Sequence, residues 1–231
     1  MNSEEKIFCV LDELEALYHN ESNPPELGHS EPLDGLILTV LSQNTNDNNR
    51  DKAFANLKAL FPEWQNVIDS GASELEASIR TAGLAHTKAQ RIITILNTIY
   101  ADFGEYSIKK LAGYSHDDMK KYLRELPGVG AKTVACTMLF DFGLKAFPVD
   151  THVSRIARRV GIAPEKYSAE DISVMFERVV PEHRCLGGHV NMIAHGRAVC
   201  HSQKPECMSC VLSEICDGAG KIIPPRKVIL P

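Results

Sequence analysis

Apolar side chains recur at every third or fourth position through most of this 231-residue sequence, and no segment shows two alternating strands joined by a tight turn. That pattern predicts an all-α protein with the middle of the chain as one helical bundle. Ile7, Phe8, Val10, Leu11, Leu14 and Leu17 share a helical face within residues 4–18. Phe54, Leu57, Leu60 and Phe61 do so within 49–61, and Ala89, Ile92, Ile93, Ile95 and Leu96 within 87–102. Residues 35–42 are an apolar run that suits a buried helix or a buried strand. Ser115 with Asp118, and Ser168 with Asp171, read as helix N-terminal caps. Gly161 reads as a helix terminator, and residues 19–32 as a loop rich in Pro, Asn and Ser.

Composition narrows the class. The length suits one or two domains, and 44% hydrophobic residues are too many for general disorder. No run of about 18 apolar residues occurs, which predicts no membrane-spanning helix. The first residues carry acidic groups where a signal peptide needs basic ones, so no export is expected. The net charge of -5 hides an asymmetry: residues 1–34 hold nine acidic side chains against one basic. Residues 126–160 hold Lys132, Lys145, Arg155, Arg158 and Arg159 against Asp141 and Asp150. That excess suits a polyanion-binding face or an ordinary solvated helix surface.

Residues 121–136 read KYLRELPGVGAKTVAC. An amphipathic helix ends near Leu126, Pro127 stops it, and a second helix begins near Ala131. Gly128 and Gly130 are free to take positive φ and let a ligand approach the backbone, while Val129 anchors the turn between the two helices. Open N–H groups at a helix N-terminus suit an anion such as a nucleic acid phosphate, although the same turn also serves as a plain connection. Lys132 follows on the first turn. It is a solvated lysine, a phosphate contact, or a nucleophile whose neutral amine attacks an electrophilic sugar carbon. Asp150 stands eighteen residues later, before Thr-His-Val. It is a good N-cap, and a cap whose carboxylate also faces a substrate stabilises positive charge on a sugar or moves a proton.

Four of the seven cysteines fall within seventeen residues, as Cys200-x6-Cys207-x2-Cys210-x5-Cys216. Four thiolates so close suit tetrahedral zinc or a [4Fe–4S] cluster, and the presence of a single C-x2-C pair favours iron–sulfur. Lys204 lies between the first two ligands, held outward where it can meet a phosphate. Cys9, Cys136 and Cys185 read as small core residues.

Together LPGVGAKT, VDTHVSRI, the HGR of residues 195–197 and the cysteine loop resemble the endonuclease III-like DNA glycosylases of the helix-hairpin-helix superfamily. The resemblance runs in order from residue 34 to 216. It implies an all-α fold of two helical lobes with a DNA cleft between them. A six-helix barrel domain would span 34–144, with the helix-hairpin-helix at about 121–142. An iron–sulfur cluster domain would comprise 1–33 plus 145–231, with its cluster loop at 200–216. It further implies a bifunctional glycosylase and abasic-site lyase of base excision repair. Lys132 would attack C1′, Asp150 would assist departure of the base, and Cys200, Cys207, Cys210 and Cys216 would hold a structural [4Fe–4S] cluster. Pro127, Gly128, Val129 and Gly130 would grip the DNA backbone with Lys204, Gln43 would fill the gap left by the flipped base, and Leu84 would wedge the opposite strand. The implied partner is double-stranded DNA bearing a damaged base, an oxidised pyrimidine first among them, or an abasic site. A monomer without membrane attachment, in a prokaryotic cytoplasm, is the implied setting. Asn44, Ala131 and Glu206 depart from the family pattern, which leaves lesion range open. Two alternatives stand beside this reading: a monofunctional mismatch glycosylase, whose kind usually lacks the lysine at 132, and a non-catalytic helix-hairpin-helix DNA-binding protein with a structural metal.

Overall fold

The computed structural model describes residues 1–25, 28–29 and 31–219. The predicted loop at 26, 27 and 30, and the end of the second predicted domain from 220 to 231, lie outside them. The described residues form helices and turns, with one isolated bridge between Asn20 and Asn23 in place of any strand. In chain order the helices are α1 (Ser3–Leu17), α2 (Pro32–Ser42), α3 (Asp47–Leu60), α4 (Trp64–Ser70), α5 (Ala72–Ser78), α6 (Ala85–Phe103), α7 (His116–Glu125), α8 (Ala131–Cys136), α9 (Thr151–Val160), α10 (Ala169–Val179) and α11 (Glu182–Ala198). No helix among them is long and apolar enough to cross a membrane.

The chain divides into two compact units. One, Leu27–Gly143, holds α2 to α8. Its centre is the ambiguous run of residues 35–42, which is helical. Pro32 fits the first turn, where an N–H has no partner anyway, and Leu33, Leu36, Ile37, Val40 and Leu41 are all fully buried. A helix apolar on nearly every side belongs in a core, and α3, α6 and α8 pack around it. The stripe read on residues 49–61 is narrower than expected. Ala53 and Leu57 are buried, but Leu60 is 63% exposed because α3 ends there and Phe61 alone turns inward. Gly28 N–H donates to Phe140 O at 2.9 Å within this unit.

The other unit joins Met1–Glu26 to Leu144–Pro231. Ile7, Val10, Leu11 and Leu14 bury one face of α1, while Phe8 and Leu17 stay outside. Lys6 ties α1 to the far end of the unit, its Nζ donating to Val160 O at 2.7 Å and Asp217 Oδ1 at 2.6 Å. Phe147 and Phe176 stack at 4.6 Å between centroids. The helix ends follow the sequence signals: Ser115 and Ser168 accept from Asp118 N–H and Asp171 N–H, and Gly161 closes α9 at φ +86°. Cys136 and Cys185 are buried as predicted, whereas Cys9 is half-exposed.

Candidate functional site

In the Leu27–Gly143 unit, α7 closes at Glu125 and the chain turns through Leu126–Gly130 into α8. Gly128 sits at φ +76°, where a side chain would be strained. Gly130 does not share that conformation: at φ -89° it takes the extended form ordinary for a helix N-cap, so one glycine makes the bend and not two. Val129 is buried and its N–H donates to Leu126 O at 3.1 Å, which pins the turn between the helices. α8 begins without a side-chain cap, so its first N–H groups stay open to an outside acceptor. Lys132 is its second residue, exposed, with no hydrogen bond or ion pair to any other described residue.

Gln43 meets this turn. Its Nε2 donates to Gly128 O at 2.9 Å and its Oε1 accepts from Arg91 Nη1 at 3.1 Å. Arg91 also lies under the bend, since a Cβ on Gly128 would stand 2.7 Å from its Cδ. Leu84 is 60% exposed and held at φ +49° immediately before α6. A large apolar residue, uncovered and in a left-handed conformation, is an outlier of the kind found at working sites. Four residues on, Lys88 is buried, and its Nζ donates to Leu41 O and Ala82 O at 2.8 Å each. Burial, with help from Arg91, holds its amine below the ordinary lysine range. Neither Arg91 nor Lys88 stood out in the sequence, where both read as polar positions of an amphipathic helix.

Asp150, Lys204 and the four clustered cysteines belong to the other unit. Asp150 caps α9 as its sequence suggested. Both bonds, from His152 N–H and Val153 N–H at 2.8 Å, fall on Oδ1 and leave Oδ2 for another partner. The three arginines counted toward a polyanion face have carbonyl partners. Arg155 donates to Cys200 O and Gly196 O at 2.8 and 2.9 Å, and Arg158 to Tyr167 O at 2.7 Å. Arg159 donates to His201 O and Ser202 O at 2.6 and 2.9 Å, and lies 3.3 Å from Cys200 Sγ. Much of their donor capacity goes to backbone carbonyls of their own unit.

Cys200, Cys207, Cys210 and Cys216 line one pocket with His195 and Arg159. Burial and the neighbouring cysteines push the Cys207 and Cys210 thiols above their ordinary range, a mark of sulfurs gathered together. Among the described residues no three His, Cys, Asp or Glu converge as a single ion requires. Four cysteine thiols lining one pocket are a donor set that a [4Fe–4S] cluster takes. The HGR motif supports the loop. His195 Nε2 lies 3.3 Å from Cys210 Sγ, and Gly196 packs where a Cβ would come within 2.6 Å of His152 Nδ1. Lys204 is exposed in the loop at φ +49°.

The model of the HhH-GPD superfamily of base excision DNA repair proteins matches residues 37–182. Endonuclease III of Bacillus subtilis is 32% identical over 222 residues, covering 94% of this chain and 93% of that protein. An Arabidopsis thaliana protein provisionally named a DNA glycosylase is 37% identical over 172 residues, 74% of this chain. The chain spans 59% of the length of that relative. A solved structure of endonuclease III trapped as a covalent intermediate with DNA superposes with a TM-score of 0.83 at 29% identity, over 97% of this chain and 100% of the other.

Proposed function

We propose, for a chain that belongs to the HhH-GPD superfamily of base excision DNA repair proteins as an endonuclease III-like DNA glycosylase, that Lys132 is the nucleophile of a bifunctional reaction. The observation that carries this reading is an exposed amine with no partner among the described residues, set two residues beyond the N-cap at a bend that leaves amides open. An anionic DNA backbone held at those amides brings the sugar to the amine.

The substrate is double-stranded DNA with a damaged base, an oxidised pyrimidine, or with an abasic site. Pro127, Gly128, Val129 and Gly130 grip the backbone. The damaged nucleotide leaves the stack, Gln43 fills the space it vacates and Leu84 wedges the opposite strand. Lys132 Nζ bonds to C1′, and the base departs with the electrons of the glycosidic bond and takes up a proton. Opening of the sugar ring gives a protonated Schiff base. Loss of a C2′ proton then expels the 3′ phosphate by β-elimination, and water frees the lysine. Asp150, through the oxygen not used by its helix, stabilises the cationic sugar and assists the leaving base.

Cys200, Cys207, Cys210 and Cys216 hold a [4Fe–4S] cluster that supplies structure, not hydrolytic chemistry. With it, Lys204 reaches a phosphate. The protein acts as a monomer, with Leu27–Gly143 as the barrel domain and the other unit as the cluster domain.

Borohydride trapping tests the central claim. Mixed with a duplex carrying an abasic site or an oxidised pyrimidine and then reduced, the protein should form a covalent adduct, and Lys132→Ala should form none. Base release with no adduct would make the protein monofunctional. DNA binding with neither reaction would make it a non-catalytic binding protein.

A further inference from the structure

The two side chains read as entering the duplex, Gln43 and Leu84, stand at the ends of different elements, yet one buried lysine bonds the backbone two residues before each. Leu41 in the last turn of α2 and Ala82 in the turn before α6 each accept a hydrogen bond from Lys88 Nζ at 2.8 Å. Each carbonyl lies two residues before one of the two side chains. Lys88 is 1% exposed, so its amine donates to these two carbonyls away from bulk solvent.

A buried amine is costly unless its donors are used. An aliphatic residue would fill the same space on α6 without that cost. What it would lack is the two bonds. Carbonyls at the ends of short elements otherwise turn to water and the loops beyond them fray separately. A shared donor instead makes the exits of α2 and of the Arg80–Ala82 turn move as one. The linkage is repeated one turn along α6, where Arg91 donates to Gln43 Oε1.

We infer that Lys88 is a positioning residue for base extrusion: its two hydrogen bonds fix the spacing between Gln43 and Leu84, so that both strands are met in register. This rests on the role read above for those two side chains. Two groups that act together on a duplex lose most of their effect when either is displaced by about an ångström.

Lys88→Met keeps the stem and removes the donors. Lys88→Gln keeps N–H donors on a shorter stem and carries the test if the methionine variant lacks a cooperative melt. Hydrogen exchange of the DNA-free protein reads the fastening itself. Amides of residues 42–45 and 83–86 should exchange faster together, with residues 126–130 unchanged. Single-turnover kinetics read its use. Excision of a paired oxidised pyrimidine should fall about 30-fold or more, while cleavage at a ready-made abasic site, where no base pair must open, stays within about threefold. Gln43→Ala should cost less in the Lys88→Met background than in the wild type. Faster exchange in only one loop overturns the fastening. Equal loss of both reactions, or effects that simply multiply, overturns the positioning role. If Gln43→Ala and Leu84→Ala leave wild-type excision intact, it is the reading of those side chains that fails, and exchange in the two loops still decides for or against the fastening.

Discussion

Asp150 serves a helix and, in the proposed reaction, a sugar, and its two oxygens divide the work. Since Oδ1 alone takes both cap bonds, Asp150→Asn should keep the cap, asparagine being as good an N-cap as aspartate. Thermal melting should then be nearly unchanged while excision falls about 100-fold or more, and near-normal turnover would remove the carboxylate from the mechanism. Asp141 is a different case. Its side chain is 3% exposed, and burial pushes its carboxyl up to about 6 although His29 N–H donates to it. A folded value above the unfolded one means the native state holds the proton more tightly. The stability this confers is complete below the unfolded value near 4 and is lost as pH rises through about 6. Melting should therefore show the wild type gaining between pH 7.5 and 5 relative to Asp141→Asn, and the variant ahead at pH 7.5. A parallel pH dependence in the two proteins would refute that account.

At the level of elements, the hairpin is the piece most exposed to test. Gly128→Ala would hold a side chain at φ +76°, a strain the bend cannot relieve, and would push the flexible Arg91 side chain from its place 2.7 Å away. A cost of about 1 kcal/mol or more is expected, read as a lower denaturation midpoint. Weaker binding to duplex DNA with a shallower salt dependence should accompany it in anisotropy titrations. Much of this level was legible beforehand. Caps, terminators and the Leu-Pro-Gly-Val-Gly turn act over a few residues, and local chemistry is written locally. The partners of Lys88 and Arg91 were not legible. Lys88 reaches a carbonyl 47 residues away, and in an amphipathic helix a lysine that points inward looks like one that points out. The carbonyl partners of the α9 arginines were hidden for the same reason: a charge count says nothing of which way three side chains turn. Leu60 differs: it is the last residue of α3, and the chain leaving the helix buries Phe61 instead.

For the molecule as a whole, the cysteine loop and α9 form one construction. The purified protein should be brown with broad visible absorbance, and Cys210→Ser should bleach it. Hydrogen exchange should then rise across residues 199–216 and along α9, with α2 to α8 keeping their protection. A colourless wild type with one zinc per chain would replace the cluster assignment. The all-α class and the order of the motifs could be read from the sequence, because periodicity and spacing survive without coordinates. What joins α9 to the loop could not, since it consists of arginines donating to backbone carbonyls more than forty positions away. That joint gives α9 two duties, a carboxylate at its head and a grip on the loop along its flank. Were the proposed cluster to go unfilled for want of iron, the shaft that would aim the proposed acid would go slack at the hilt, and a shortage of one nutrient would surface as unrepaired genome.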